Sequence, residues 1–143
     1  MVNLFTEKIQ FQLGDVQWYN RQYSGALPNN FEAELVVIRR GQIWFKEIIT
    51  VGELFLQILN WTISATGGAF IDFHHNSIET DENPIFSLTQ HPNTSMWGFQ
   101  SVEGLFNDNF DLTDVEAEEF LRSLAAYIDH KIHLQHGKVD ISW

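Results

Sequence analysis

Two segments near the N-terminus alternate between apolar and polar residues, as half-buried β-strands do. They are residues 6–13 and 31–39. A tight turn at Arg40 and Gly41 then leads into residues 42–49. This order predicts a β-hairpin, because glycine accepts the positive φ that such turns require. The positions expected on the inner faces of the two segments are Glu7, Ile9, Phe11, Leu13, Phe31, Ala33, Leu35 and Val37.

A helix is predicted directly after the hairpin. Thr50 and Glu53 have the spacing of a capping box, in which an N-cap threonine and a glutamate three residues later satisfy free backbone amides. The residues up to the glycine pair 67–68 are apolar around most of a helical circumference. A helix with this pattern is buried over most of its surface. Its narrow polar edge is expected to consist of Glu53, Asn60 and Ser64.

A second helix is predicted from the capping-box pair Thr113 and Glu116 to Gly137, a residue type that commonly ends helices. Acidic residues fill its first turns and basic or histidine residues its last ones. Both distributions are favoured by the helix dipole. Its apolar stripe consists of Ala117, Leu121, Leu124, Ala125, Ile128 and Ile132.

Three more strands are predicted between the helices, over residues 69–75, 84–90 and 95–101, and residues 138–143 could add a short edge strand. The element order is therefore β-β-β-α-β-β-β-α. This order predicts one α+β domain over residues 1–143, with a mostly antiparallel sheet of about six strands and both helices packed on one face. The first helix would lie between the sheet and the second helix.

The charge of the chain is lopsided. Nineteen acidic residues stand against eight lysines and arginines, for a net charge of -11, and thirteen of these acids lie in residues 72–143 with three bases. Such a surface repels a nucleic-acid backbone, so direct binding to DNA or RNA is not expected. An acidic surface instead steers basic proteins toward itself.

The remaining composition excludes several kinds of chemistry. The chain has no cysteine, so disulfides, zinc–thiolate sites and thiol nucleophiles are absent. It carries no glycine-rich phosphate loop, nucleophile elbow or metalloprotease helix motif, and no cofactor is predicted. No apolar run is long enough to span a bilayer, and the first residues do not resemble a signal peptide. We therefore expect a cytoplasmic protein that does not bind membranes.

These observations favour a non-enzymatic protein-binding module. An acidic block with interspersed aromatics precedes and enters the second helix, and phenylalanines in such a block can anchor a partner. The residues predicted to bind a basic protein partner are Glu103, Phe106, Asp108, Phe110, Asp111, Asp114 and Glu118.

In size, acidity, lack of cysteine and α+β layout, the chain resembles the small immunity proteins that inhibit toxins. The resemblance implies a basic partner such as a nuclease, with carboxylates of the inhibitor occupying its phosphate site. No sequence motif carries this resemblance, so it transfers no role to any individual residue.

Two alternative functions remain open. Asp129, His133 and His136 fall on one side of the second helix, and carboxylate and imidazole are the ligands of zinc and similar ions. This set predicts a metal-dependent or histidine-based hydrolase, completed by His74 or His91. The other alternative is a structural or homo-oligomeric subunit, whose interface would use the many aromatic residues.

Overall fold

The computed structural model describes residues 8–18, 31–66, 71–77, 84–101 and 110–137. Within these residues the chain forms seven strands and two helices. The strands are β1 (Gln10–Leu13), β2 (Gln17–Trp18), β3 (Phe31–Arg39), β4 (Gln42–Thr50), β5 (Phe73–His75), β6 (Phe86–Gln90) and β7 (Trp97–Ser101). The helices are α1 (Val51–Thr66) and α2 (Asp114–His136).

The first sheet, sheet A, is built around β3. β4 pairs antiparallel along one edge of β3, while β1 and β2 pair antiparallel with successive parts of the other edge. The β3–β4 turn has φ of 49° at Arg40 and 83° at Gly41, as the hairpin prediction requires. The predicted alternation is confirmed, since the inner positions from Ile9 to Val37 that the structure describes are all buried.

The second sheet, sheet B, contains β5, β6 and β7 in that order, all antiparallel. Leu112 extends its outer edge through two backbone hydrogen bonds with Trp97, of 2.7 and 3.1 Å. This bridge attaches the segment before α2 to β7. The two sheets meet at Phe45 of β4, whose ring lies 5.5 Å from Phe86 and 6.2 Å from Phe99.

Helix α1 packs against α2, β3 and β5. Its buried face includes Leu54, Ile58 and Trp61, and the Trp61 ring contacts Trp97 edge-on at 6.2 Å. The expectation of burial around nearly the whole circumference was too strong, because Ile63 is 70% exposed. The predicted polar edge was also partly wrong, since the Glu53 side chain is buried. Burial of Glu53 is possible because hydroxyl groups from neighbouring strands and loops donate to it.

Helix α2 begins and ends as predicted. The side chain of Thr113 accepts a hydrogen bond from the Glu116 amide at 3.1 Å, and the Glu116 carboxylate accepts one from the Thr113 amide at 2.9 Å. Gly137 follows the last turn with φ of 79°, a conformation in which a side chain would be strained. The predicted apolar stripe is buried together with Phe120.

The α+β fold class, the antiparallel pairing and the two helices are therefore confirmed. The strands form two sheets instead of one, and the additional strand is the two-residue β2. The strand starts predicted at residues 69 and 138, and the helix stop at 67–68, lie outside the described residues. Neither described helix combines the length and the apolarity that are needed to cross a bilayer.

Candidate partner-binding surface

Asp111 lies two residues before the N-cap of α2 and is surrounded by cations from the N-terminal half of the chain. Its Oδ2 atom accepts hydrogen bonds from Arg40 Nε and Nη2 at 3.0 and 2.7 Å. Its Oδ1 atom accepts a hydrogen bond from Arg39 Nη2. Lys8 Nζ donates to its backbone oxygen at 2.9 Å. This group of contacts, which we name the Asp111 cluster, ties the start of α2 to the β3–β4 turn and to the approach to β1.

The two arginines of the Asp111 cluster differ in burial. The Arg39 side chain is 2% exposed and that of Arg40 is 59% exposed. The Arg39 guanidinium lies 4.9 Å from the Trp44 ring centroid, and its Nη1 has no hydrogen-bond partner among the described residues. Burial lowers the pKa of Arg39, although Asp111 opposes the shift. Asp111 is thus the counter-ion of a buried cation.

Other acids at the start of α2 also have partners within the chain. Asp114 accepts a hydrogen bond from Trp97 Nε1 at 2.5 Å, and Glu118 forms an i,i+4 ion pair with Arg122 at 2.6 Å. Glu116 pairs with Lys8 at 3.1 Å. Burial raises the pKa of Glu116, but hydrogen bonds from Thr113 and the contacts with Lys8 outweigh it and hold the pKa below its usual value.

The charge of this region is therefore small. Residues 111–119 carry five carboxylates, and four cations lie on them, which leaves a local charge of -1. The exposed side chains at the start of α2 are Glu119 and Val115, the latter 61% exposed. Phe110 is half-buried, with its ring 5.0 Å from that of His91. Of the predicted binding residues, Glu103, Phe106 and Asp108 lie outside the described part of the chain.

The cations that bind these acids were not singled out from the sequence. Arg39, however, occupies the fifth position of the alternating series that begins with Phe31 and runs through Val37. That position faces the core, and a buried guanidinium needs a counter-ion. The pattern could therefore have shown that an acid must approach β3, although not that this acid is Asp111, which is 72 residues away.

The predicted metal ligands are only partly brought together. His133 Nδ1 lies 3.6 Å from Asp129 Oδ1. His136 Nε2 instead donates to the backbone oxygen of Val16 at 2.7 Å, so only its Nδ1 retains a lone pair. Within the described ranges, no three histidine or carboxylate side chains are grouped so that they could hold a metal ion.

The two histidines of β5 point to opposite sides of sheet B, as expected for neighbours in a strand. His74 is exposed, and its Nδ1 lies 2.7 Å from the Ser87 hydroxyl on β6. Asp72, which the sequence places on the same side as His74, accepts a hydrogen bond from the Gln90 amide at 2.9 Å. Ser87 is itself only 5% exposed, so a substrate has little access to its hydroxyl.

Most of the large aromatic residues in the described ranges belong to the core. The fully buried ones are Trp97, Phe11, Phe31, Phe86, Phe99 and Phe120. Among the described large aromatic residues, Trp18 is the exposed one, at 41%, and its ring packs on Phe31 at 4.8 Å. Within the described ranges, most of the aromatic side chains therefore fill the interior, where sheets and helices meet.

At one end of sheet B, strands β5 and β7 end and strand β6 begins. His75 pairs with Phe86, and Phe86 pairs with Ser101, so the last residues of β5 and β7 and the first of β6 form one row. From this end the sequence continues into residues 78–83 and into residues 102–109. These two segments contain five acidic residues and no lysine or arginine. We name the row from His75 to Ser101, together with the two acid-rich segments that follow it in the sequence, the acidic end of sheet B.

Over the described residues, the acidic chain has an α+β fold with two antiparallel sheets and two helices. A family model described as "Domain of unknown function (DUF7878)" matches residues 9–133, and the chain belongs to this family. No curated protein and no solved structure matches the chain.

Proposed function

We propose that this chain is a non-enzymatic protein-binding module of the inhibitor or immunity type, which engages a basic protein through the acidic end of sheet B. The observation that supports the proposal is the common point of attachment of two acid-rich segments. Residues 78–83 follow Ser77, which is two positions after His75, and residues 102–109 follow Ser101. His75 and Ser101 lie in one row with Phe86. Carboxylates on two segments that start at the same end of a sheet reinforce each other's electrostatic field.

The acids at the start of α2 are less available to a partner than the other acids of the predicted set, because they already have contacts within the chain. Asp111, Asp114 and Glu118 are already engaged by Arg39, Arg40, Trp97 and Arg122, so a partner would have to break those contacts. The partner contact is therefore assigned mainly to Glu103 and Asp108 with Phe106 as apolar anchor. They are joined by the acids of the other segment, Glu79, Asp81 and Glu82.

The net charge limits what the partner can be. At -11 the chain carries a field that accelerates encounter with basic proteins and slows encounter with acidic ones. A basic nuclease, whose active site is built to hold phosphate, would present the complementary charge. Carboxylates at the acidic end of sheet B would then take the place of its substrate.

A pair of matched variants tests whether this surface is the one used. Glu79→Lys with Glu103→Lys changes the net charge by the same amount as Glu34→Lys with Glu119→Lys, and the latter two residues are exposed elsewhere. Association with a short lysine homopeptide is measured by stopped-flow tryptophan fluorescence at low salt. We expect the first pair to slow association roughly tenfold and the second about threefold or less. Equal slowing would show that only net charge matters.

A panel of purified basic nucleases then tests the inhibitor function itself. Stoichiometric inhibition of at least one of them by the native chain, lost in the Glu79→Lys, Glu103→Lys variant, is the expected result. Absence of inhibition across the panel would leave a charged surface without this function and would overturn the proposed class.

Metal content separates this proposal from the metal-dependent form of the hydrolase alternative. That alternative requires stoichiometric zinc or another divalent ion in the purified protein, and its loss in His133→Ala. We expect no metal that His133→Ala removes, because His136 already donates to Val16 and His133 pairs with Asp129. Elemental analysis of both proteins provides the measurement.

A further inference from the structure

The side-chain amide of Gln57 on α1 forms two hydrogen bonds with the backbone just after β5. Gln57 Nε2 donates to the Asn76 oxygen at 2.6 Å, and the Asn76 amide donates to Gln57 Oε1 at 3.3 Å. These opposed bonds fix which end of the amide carries the oxygen. Gln57 Oε1 also lies 2.7 Å from Nδ1 of His75. His75 thus also connects the end of β5 to α1.

The bond to Gln57 determines the tautomer of His75. Because Gln57 Oε1 can only accept, Nδ1 of the imidazole must carry the hydrogen, and Nε2 is left with a bare lone pair. The His75 side chain is 0% exposed, its ring lies 5.3 Å from that of Phe86, and Nε2 has no hydrogen-bond partner among the described residues. A proton added at Nε2 would create a buried charge without an acceptor.

The surroundings of His75 provide little compensation for such a charge. Gln57 from α1 and Phe86 from β6 are uncharged. The ionisable member of the adjoining network is Glu53, whose Oε1 accepts hydrogen bonds from Thr50 Oγ1 and, at 2.6 Å, from Ser77 Oγ. Burial lowers the pKa of His75 from 6.5 to about 3, and no charged group contributes to the shift. The closed arrangement therefore disfavours the protonated form.

We propose that His75 forms a proton-sensitive contact between β5 and α1. The neutral imidazole holds the end of β5 on α1, and the protonated imidazole releases it. The release would separate the imidazole and the Asn76 backbone from Gln57, and would weaken the 2.7 Å bond from the Ile85 amide to the His75 oxygen. It is a local opening and does not depend on what the protein binds. An open state with ordinary histidine titration gains about 30-fold in population between pH 8 and pH 5.

Amide hydrogen exchange measured by NMR tests the proposal. The exchange of the Asn76 and Ile85 amides measures how often the contact between His75 and α1 opens. The Gly14 amide, which donates to the Glu34 oxygen in sheet A at 2.9 Å, serves as an internal control. After correction for intrinsic exchange, we expect the opening constants of the first two to rise about 30-fold from pH 8 to pH 5. The control amide should rise threefold or less.

Two substitutions identify the group that titrates. His75→Asn keeps a donor for Gln57 but cannot be protonated in this range, so it should abolish the pH dependence at Asn76. His74→Asn removes the exposed neighbouring histidine and should leave the dependence intact. If the dependence persists in His75→Asn, or if wild-type opening changes less than threefold, the proposal is wrong.

The tautomer supplies an independent readout. Imidazole nitrogen shifts of the native protein at pH 7 should show His75 protonated at Nδ1 and bare at Nε2. The opposite tautomer would contradict the Gln57 bond and overturn the proposal even if opening were acid-dependent. Should His75→Asn fail to fold, Gln57→Glu provides the second variant. Its carboxylate favours the imidazolium, so it should reduce the acid-induced opening at least threefold.

Discussion

The Asp111 cluster allows a sharp prediction about stability, because its two arginines share one carboxylate but differ in burial. Asp111→Asn leaves the Arg39 guanidinium, 2% exposed, without its counter-ion. Removing one partner of a buried ion pair costs about 3–5 kcal/mol. Arg40→Gln breaks a pair whose arginine is 59% exposed, and surface pairs contribute about 0–1 kcal/mol. A domain of this size has a total stability of roughly 5–15 kcal/mol.

Urea unfolding at pH 7, followed by tryptophan fluorescence and circular dichroism, measures both changes. We expect the midpoint of Asp111→Asn to fall several times further than that of Arg40→Gln, with similar m-values. Adding salt should reduce the effect of Arg40→Gln and leave that of Asp111→Asn largely unchanged, because buried pairs are poorly screened. Glu118→Gln, which breaks the helix-surface pair with Arg122, is the matched control.

A second substitution shows whether the buried charge is the cause. Arg39→Met replaces the guanidinium by an apolar chain of similar length, which can keep its contact with Trp44. In the Asp111→Asn background it should restore about 2 kcal/mol or more, since no uncompensated charge then remains. If Asp111→Asn costs no more than Arg40→Gln, or if Arg39→Met brings no recovery, Asp111 is not the counter-ion that this reasoning requires.

Three further predictions concern α2 and the core. Thr113→Ala removes the N-cap and should cost about 1 kcal/mol in urea unfolding, and a loss below about 0.3 kcal/mol would argue against the capping box. The pKa of Glu116 is lowered in the folded state, so its stabilisation is present above the unfolded value and is lost as pH falls through the folded one. The stability difference between wild type and Glu116→Gln should therefore shrink below about pH 4.5, and a difference that stays constant to pH 3 would contradict the contact with Lys8. Phe120→Ala removes a fully buried ring that contacts Phe11, and it should lower the free energy of unfolding by about 3–5 kcal/mol. A thermal midpoint shift of only a few degrees would mean that neighbouring side chains move to fill the cavity.

Local elements could be predicted well because their causes lie in neighbouring residues. The alternation from Phe31 to Val37, the turn at Gly41 and the capping box of Thr113 each depend on backbone geometry within a few positions. The structure confirms all three. Exposure of Ile63 was not predictable in this way, because burial of a helix face depends on which partner elements reach it.

The candidate surface was harder to predict for the same reason. Seven acidic and aromatic residues before and within α2 form one block in the sequence, and this pattern predicts one exposed surface. In the structure, Arg39 lies on Asp111 from 72 residues away, and Arg122 lies on Glu118. A charge count along the chain contains no information on such pairs, since it depends on which loops the fold brings together.

The sequence by itself determined the class of fold, the presence and type of the main strands and helices, the excess of negative charge and the absence of thiol chemistry. These follow from periodicity, capping and composition, which are properties of short stretches or of the whole chain. Only the tertiary structure decided that the strands form two sheets and that Arg39 and Arg40 bind Asp111. It also decided that His75 is buried beside Gln57 and that two acid-rich segments start from one end of sheet B. Each of these is a contact between distant residues, and its energy arises only when the packed core fixes both partners.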